Sequence, residues 1–526
     1  MTATDHDAIV IGSGFGGAVT ACRLAEHGYR VLVLERGRRW EERNYPRSIG
    51  DAWCWDVARP ERWNGWMDLR CFRHMAVVQG AAVGGGSLIY ANVSAVPHPE
   101  IFDQGWPPEI TGEEMAPHYA AVGAFMGVQK IPPNQWTPRT KLMQEAAGRI
   151  GAAERFHTLD LAISFNPDWS EGDRELGPGA SRRFVNQQGV EQGTCIHLGN
   201  CDIGCDVGAK NTLDRNYLPW AEKHGAEVRP LHLVTAIEPS AGGYRVSFDQ
   251  LASGRRRAGS ATARLVVVAC GSLNSTELLL RCRDVSRTLP GLSRFLGRNW
   301  SSNGDFLTPA FYSNRTPHPS QGPTITSAID FLDRSDAGQS FWIQDGGFPD
   351  LLFDLLAKVG NRRTIARATL AFARDAIRRF GPLEHVMPWF AQGVDAANGQ
   401  LRLQRRCRFF GPLRLELDWD IAQSARVIEA IVAMHQRLSL ATGGHPLVLP
   451  TWSECRYLVT PHPLGGCNMG STPETGVVDH SGEAFGHRNL YVIDGSIIPK
   501  ALGVNPSRTI AALAERAAGL IVRNGR

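Results

Sequence analysis

A doubly wound α/β domain, discontinuous in sequence and joined to a second domain so that the 526-residue chain is α+β overall, is predicted by three apolar strands and by the glycine or acid at the end of each. The first strand, Ala8–Ile11, is rich in β-branched residues and runs into Gly12-Ser13-Gly14-Phe15-Gly16-Gly17. Helical spacing over Ala18–Ala25 and a buried strand at Val31–Leu34 complete a βαβ unit, which requires a parallel sheet. The next strand, Leu265–Ala269, enters Cys270-Gly271-Ser272 ahead of a helix over Ser275–Arg281. The last, Asn489–Ile493, enters Asp494-Gly495. Strands so far apart can share one sheet only if their domain is assembled from separate pieces, here 1–96, 191–304 and 456–526. Residues 97–190 and 305–455, richer in Trp, Pro and Phe and without the βα rhythm, form the second domain, expected to hold a β-sheet with covering helices.

Composition excludes several classes. Charged residues make up 21% and hydrophobic ones 43%, as in an ordinary globular protein. A net charge of +4 without long Lys or Arg runs argues against nucleic acid as a partner. Met1–Asp7 carries two acids and lacks the basic flank of a secretory leader, and no apolar stretch reaches bilayer length, so a cytoplasmic location is expected. The eleven cysteines then read as reduced thiols rather than a disulfide framework.

In the glycine turn, Gly12 permits the tight exit from the strand, Gly14 lets backbone approach a pyrophosphate, and Gly17 lets the helix pack closely on the sheet, with Phe15 and Gly16 completing the turn. The helix that starts there aims free N–H groups at the phosphates. Glu35, ending the returning strand, is placed to accept from a ribose diol, although Arg36 beside it weakens discrimination against a phosphorylated ribose. A dinucleotide is implied, without separating NAD from FAD.

Three later segments extend the site and favour the longer cofactor, FAD. Gly80-Ala-Ala-Val-Gly84-Gly85-Gly86-Ser87 leaves N–H groups bare to cradle a phosphate or pass beneath a ring, and the apolar Ile89, Tyr90, Val93 and Val96 point to a buried loop rather than a flexible one. In Tyr457–Cys467, His462 precedes proline and is held in extended backbone; it reads as a base near neutral pH or, more plainly, as a structural loop histidine. Gly503-Val504-Asn505-Pro506-Ser507 reads as a helix start, Asn505 the N-cap and Pro506 first in a helix continuing over Arg508–Val522. Simple capping and a dipole aimed at a reduced flavin are both open.

In this order the segments resemble the glucose-methanol-choline (GMC) family of flavin oxidoreductases, and within it the branch of cholesterol oxidases and their relatives, from Asp7 to about Gly525; Asn211-Thr212-Leu213 and Gly271–Leu278 also carry the similarity. The resemblance implies an FAD-binding domain in the first set of pieces and a substrate-binding domain in the second. It implies oxidation of a small-molecule alcohol to a carbonyl, with the carbon hydride passing to flavin N5 and the hydroxyl proton to a base. His462 and Asn505 would be the base or hydroxyl anchor and its polar partner. Gly12, Gly14, Phe15, Gly16, Gly17, Glu35, Gly80, Gly84, Gly85, Ser87, Asn92, Val234, Gly271, Asp494, Gly495, Asn505 and Pro506 would follow the cofactor, with the Val234 backbone at the adenine. A sterol or other bulky apolar secondary alcohol is the expected substrate, with oxygen or an external carrier reoxidising the flavin. A sugar or primary-alcohol dehydrogenase, and a flavin-bearing electron carrier or binding subunit, are the alternatives; the His462–Asn505 pair argues against the last.

The chain departs from that branch at two positions. The glutamate that shifts a steroid double bond in cholesterol oxidases falls on Gln344 or Ile343, with Asp345 the nearest acid, which speaks against isomerisation and against cholesterol itself. The asparagine expected just after the glycine-rich loop falls on Tyr90, with Asn92 close by.

Two further features stand outside this scheme. Cys195, Cys201 and Cys205, with five and three residues between them, lack the pairing of zinc knuckles and an obvious fourth ligand, so a structural loop is favoured over an iron–sulfur cluster and no metal is expected. Asp350–Phe380 reads as amphipathic helix with Arg362, Arg363, Arg367, Arg374, Arg378 and Arg379 among Leu and Ile, either a solvated face or a peripheral membrane contact.

Overall fold

In the computed structural model, which describes residues 4–48, 50–252, 254–351, 382–405 and 411–525, the strand His6–Ile11 lies inside a seven-stranded sheet. It pairs in parallel with Val31–Leu34 on one side and with the end of Arg255–Val268 on the other. Glu227–Arg229 and Leu490–Val492 extend the parallel set outward. Strands covered on both faces need apolar side chains at every position, which is why Ala8–Ile11, Val31–Leu34 and Leu265–Val268 are unbroken apolar runs, all buried. Each buried Val, Leu or Ile contributes roughly 1.5–3 kcal/mol.

Sequence patterning reaches only the last part of Arg255–Val268. Its first half is polar and largely exposed, and pairs antiparallel with Gly243–Ala252, which in turn pairs with His232–Ser240. An antiparallel ribbon therefore grows out of the parallel sheet. The helix Phe15–Glu26 is buried on most of its surface because it lies against the C-terminal helix Ser507–Asn524 as well as the sheet. Arg23 Nε binds Glu515 Oε2 at 2.7 Å across that contact.

A second sheet of six strands is antiparallel throughout, in the order His445–Pro446, Phe306–Phe311, Val386–Gly393, Gln339–Asp345, Ser327–Asp336, Phe156–Thr158. The helices Pro138–Arg149 and Ala425–Ala441 pack against it. Gln344 lies opposite Ala328 and Phe390, so these three side chains share a face while Ile343 and Asp345 take the other. A smaller sheet pairs Leu458–Thr460 in parallel with Met75–Gly80, so the Gly80–Ser87 and His462 loops leave neighbouring strands at the same end.

Buried histidines make this packing acid-sensitive. His435, on the helix Ala425–Ala441, is fully buried with Nδ1 3.0 Å from Thr308 Oγ1, and burial drives its pKa down to about 3. His197, stacked on Trp169, falls to about 4, again through burial first. Both folded values lie below the unfolded one, so the unfolded chain takes up protons first as pH drops below about 6.5. Stability is then lost at about 1.4 kcal/mol per pH unit for each histidine until its folded value is reached. Thermal midpoints should fall steadily between about pH 6.5 and pH 4, with a shallower fall in His435→Leu; an unchanged slope in that variant would refute the assignment.

Among the described residues no helix is long and apolar enough to cross a membrane. The amphipathic reading of Asp350–Phe380 falls, beyond Leu351, outside the described residues.

Candidate active site

Gly12 has φ of 97°, and a Cβ there would stand 2.4 Å from Ala269 O, so both the turn and the close passage of the next strand demand glycine. Gly16 and Gly17 press against Ile493 O and Gly12 O. Gly14 differs: a Cβ built on it meets nothing within 4 Å, as is also true of Gly86 and Gly271. These three stretches of bare backbone border one cavity of about 860 Å³. It runs from Glu35 and His232–Thr235, past the glycine turn and Asp494, to His462 and Asn505.

Of the residues expected at the site, Gly12, Gly14, Phe15, Gly16, Glu35, Gly80, Gly85, Val234, Gly271, His462, Asp494, Gly495, Asn505 and Pro506 border this cavity. Gly17, Gly84, Ser87 and Asn92 do not. Gly17 is occupied by helix packing, while Ser87 locks the turn, its Oγ donating to Gly84 O at 2.7 Å and accepting from Leu213 N at 3.1 Å. Asn92 is fully buried at φ 67°, and Tyr90 faces the cavity instead, its hydroxyl on Asn211 O at 2.8 Å and its ring edge-on to Phe15.

Several donors already hold the acids of the nucleotide end. Glu35 accepts from Ser13 N, Ser13 Oγ and Gly37 N, which leaves about one of the roughly four lone-pair sites of a carboxylate for a ligand. Arg36 also borders the cavity, paired with Asp68 at 2.9 Å and lying over Trp55. Asp494 accepts from Gly271 N, Ser275 Oγ and Ser496 N, tying the ends of two parallel strands together. Val234 sits where a bulge interrupts its pairing with the neighbouring strand, freeing backbone toward the cavity.

At the other end, His462 Nδ1 lies 2.9 and 3.0 Å from the two carboxylate oxygens of Asp305. A carboxylate only accepts, so a proton sits on Nδ1, and in the neutral imidazole the free lone pair is then on Nε2. Asp305 is almost wholly buried and also accepts from Thr460 Oγ1; burial pushes its carboxyl upward, and His462 and Thr460 pull it back. Asn505 Nδ2 lies 3.4 Å from His462 Nε2, and Asn505 Oδ1 accepts from Gln344 Nε2 at 2.8 Å. Asn505 is therefore not the helix cap expected from the sequence. The helix begins at Ser507 with Pro506 in the cap position and no capping side chain, because the Asn505 amide is engaged elsewhere.

Asp305 and Asn303 escape sequence reading, and so does the contact of Gln344 with Asn505. Asn303 Oδ1 accepts from Leu502 N and Gly503 N while Nδ2 donates to Val504 O, clamping the Asp305 turn onto the Asn505 loop. The only local signal is a polar turn, Ser301-Ser-Asn-Gly304, ahead of the acid. Asp345, the acid nearest Gln344 in sequence, points away, its oxygens taken by Thr326 and Ser327 and facing Arg139. Asp202 borders the cavity in its place, its carboxyl pushed up to about 6 by burial.

The cysteine loop underlies the glycine-rich turn. Lys210 Nζ donates to Leu88 O, Tyr90 O and Cys201 O at 2.6–3.0 Å, and Cys205 Sγ accepts from Ala209 N. Burial pushes the Cys195 and Cys201 thiols upward. Among the described residues no cluster of three or more His, Cys, Asp or Glu is placed to hold a metal ion.

A parallel sheet whose strand ends meet one elongated cavity, closed by an oriented imidazole beneath a second sheet, defines a dinucleotide-dependent oxidoreductase. Residues 6–283 and 395–514 both match the description GMC oxidoreductase, and the chain belongs to that family, whose members are FAD-dependent and act on CH–OH donors. It is 32% identical to a cholesterol oxidase of Acinetobacter baumannii over 98% of this chain and 94% of that protein. A cholesterol oxidase of Mycobacterium tuberculosis is also 32% identical, over 99% and 92%. A long-chain-alcohol oxidase of Arabidopsis thaliana is 27% identical over 97% of this chain and 66% of its own length. Among solved structures, pyridoxine 4-oxidase from Mesorbium loti shares the fold at a TM-score of 0.61 and 17% identity, covering 98% of both chains. A fungal aryl-alcohol oxidase does so at 0.61 and 15%, covering 99% of this chain and 100% of its own.

The residues present fit FAD. The bare backbone at Gly14, Gly86 and Gly271 leaves room for a pyrophosphate, and Gln79, which borders the cavity, keeps a buried Nε2 without a partner in the protein.

Proposed function

We propose that this enzyme oxidises the secondary hydroxyl of a bulky apolar alcohol, foremost a sterol or steroid, with oxygen or an external carrier taking the electrons onward. The observation that carries this reading is the wall around His462. Leu307, Ile325, Phe390, Val459 and Pro461 border the cavity there, an apolar surface suited to hydrocarbon, and Phe390 lies 6.3 Å from the imidazole between ring centres. The names of the relatives, cholesterol oxidases and a long-chain-alcohol oxidase, support the same substrate class.

Glu35 and the Val234 backbone would hold the adenosine end of FAD, Gly14, Gly85 and Gly86 the pyrophosphate, and Asp494, Gly495 and Pro506 the ring. Bound there, FAD supplies the acceptor for the two electrons of the carbinol C–H bond. His462 Nε2 takes the hydroxyl proton, Asp305 stabilises the imidazolium so formed, and Asn505 Nδ2 holds the alcohol oxygen beside the base. Neither Gln344 nor Ile343, the two residues on which the isomerising glutamate falls, carries a proton to a carbon, so the proposed reaction stops at the ketone.

Product and peroxide assays on steroids, sugars and aliphatic alcohols test this. Turnover of steroids far above sugars is expected, and the reverse preference would sink the substrate assignment. Gly14→Ala tests the cofactor placement: with nothing within 4 Å of the added Cβ, the fold should survive while FAD affinity drops by about tenfold or more. Circular dichroism with flavin absorbance of the purified variant reads both, and a full flavin complement would refute the placement.

A further inference from the structure

Gln344 is fully buried, lies behind Asn505 and does not border the cavity, so it touches neither substrate nor cofactor directly. Among the described residues its side chain makes one hydrogen bond, to the Asn505 carboxamide, and its Oε1 has no partner. An interior amide with its carbonyl oxygen unused is costly to keep for packing alone. From this geometry we infer that Gln344 is a positioning residue, a neutral donor that holds the Asn505 carboxamide with Nδ2 toward His462 and thereby keeps the imidazole in the tautomer whose Nε2 is free to take a proton.

The hydrogen-bond roles along the chain of groups leave little choice. Asp305 accepts at His462 Nδ1, so in the neutral ring Nε2 is an acceptor, Asn505 meets it with Nδ2, and its Oδ1 is left to accept from Gln344 Nε2. If the carboxamide turned over, Oδ1 would face Nε2 and favour a proton there, which occupies the base. Gln344 donates to the working orientation through Nε2 and, carrying no titratable proton, can do so at any pH. A carboxylate in its place could only accept, and would draw Nδ2 toward itself.

The charged groups facing this pair are His462 and Asp305, with Asp395 beyond Asp305 and bound to Ser301 and Ser302. Asp345, next along the strand, faces Arg139 on the opposite side. No other charged group needs to change for the carboxamide to respond. The inference rests on His462 being the base, as proposed above.

Gln344→Glu and Gln344→Met test it in the FAD-loaded enzyme. In Gln344→Glu the acid limb of the kcat/KM profile should move up by about one pH unit, because an ionised carboxylate favours protonated Nε2. In Gln344→Met kcat should fall about tenfold at unchanged flavin content, the worth of one lost hydrogen bond. Histidine ring-nitrogen NMR should show Nε2 unprotonated in the parent near neutral pH and protonated in Gln344→Glu. If the acid limb stays in place and the ring-nitrogen signals of His462 are unchanged in Gln344→Glu, the inference is overturned, even if Gln344→Met does not fold. The NMR readout needs no substrate, so its failure is separable from failure of the base assignment, which would show as an active His462→Ala enzyme.

Discussion

Replacing His462 by alanine should cut turnover by about 10²–10⁴-fold while FAD stays bound, as expected for loss of a general base. The two effects separate because the structure separates them. His462 stands at the far end of the cavity, whereas the open backbone of Gly14, Gly86 and Gly271 and the acids Glu35 and Asp494 lie along its length. Removing the imidazole takes away the proton acceptor and leaves those groups untouched. His462→Gln should not rescue activity, since an amide can hold the alcohol oxygen but cannot carry its proton. Steady-state kinetics with flavin absorbance on the same preparation reads both numbers. Full activity in the alanine variant would remove His462 from the chemistry and with it the proposed mechanism.

Asp305→Asn should also lower kcat by about 10²-fold or more, because the imidazolium formed when Nε2 takes the proton loses its buried counter-charge. The same change should leave stability equal or higher. Burial raises the folded pKa of Asp305 above its unfolded value, so the unfolded chain gives up this proton first as pH rises. The carboxylate therefore costs stability above the ordinary carboxylate range, and asparagine removes that cost while keeping the shape. Activity of the parent has the opposite dependence: it needs Asp305 ionised, and is lost as pH falls through the raised value. Thermal midpoints and pH–rate profiles of parent and variant check both signs. A variant with unchanged kcat, or one that loses stability and flavin together, would show that Asp305 is a structural acid.

How much of this was legible in the sequence depends on the range of the physics involved. Ala8–Ile11, the glycine turn and Val31–Leu34 could be read because full burial imposes unbroken apolar runs and a tight turn imposes glycine. The polar half of Arg255–Val268 could not, since an exposed antiparallel ribbon sets no such pattern. Asn505 shows why local rules can mislead. Asn-Pro-Ser has the chemistry of a helix start, yet the Asn505 side chain is claimed by Gln344, 161 positions away, and by His462, and the helix starts uncapped.

By itself, then, the sequence determined the dinucleotide-binding βαβ unit and the need for glycine where backbone must turn or lie bare, because each is enforced within a few residues of chain, whereas His462 is singled out by the family resemblance. Only the tertiary structure decided what surrounds that histidine. Asp305 reaches it from 157 positions away, Asn505 faces its free nitrogen, and strand alternation puts Gln344 rather than Ile343 or Asp345 behind Asn505. Hydrogen bonds between buried groups are fixed by where the two sheets and their loops meet, and nothing in the neighbouring sequence encodes that meeting.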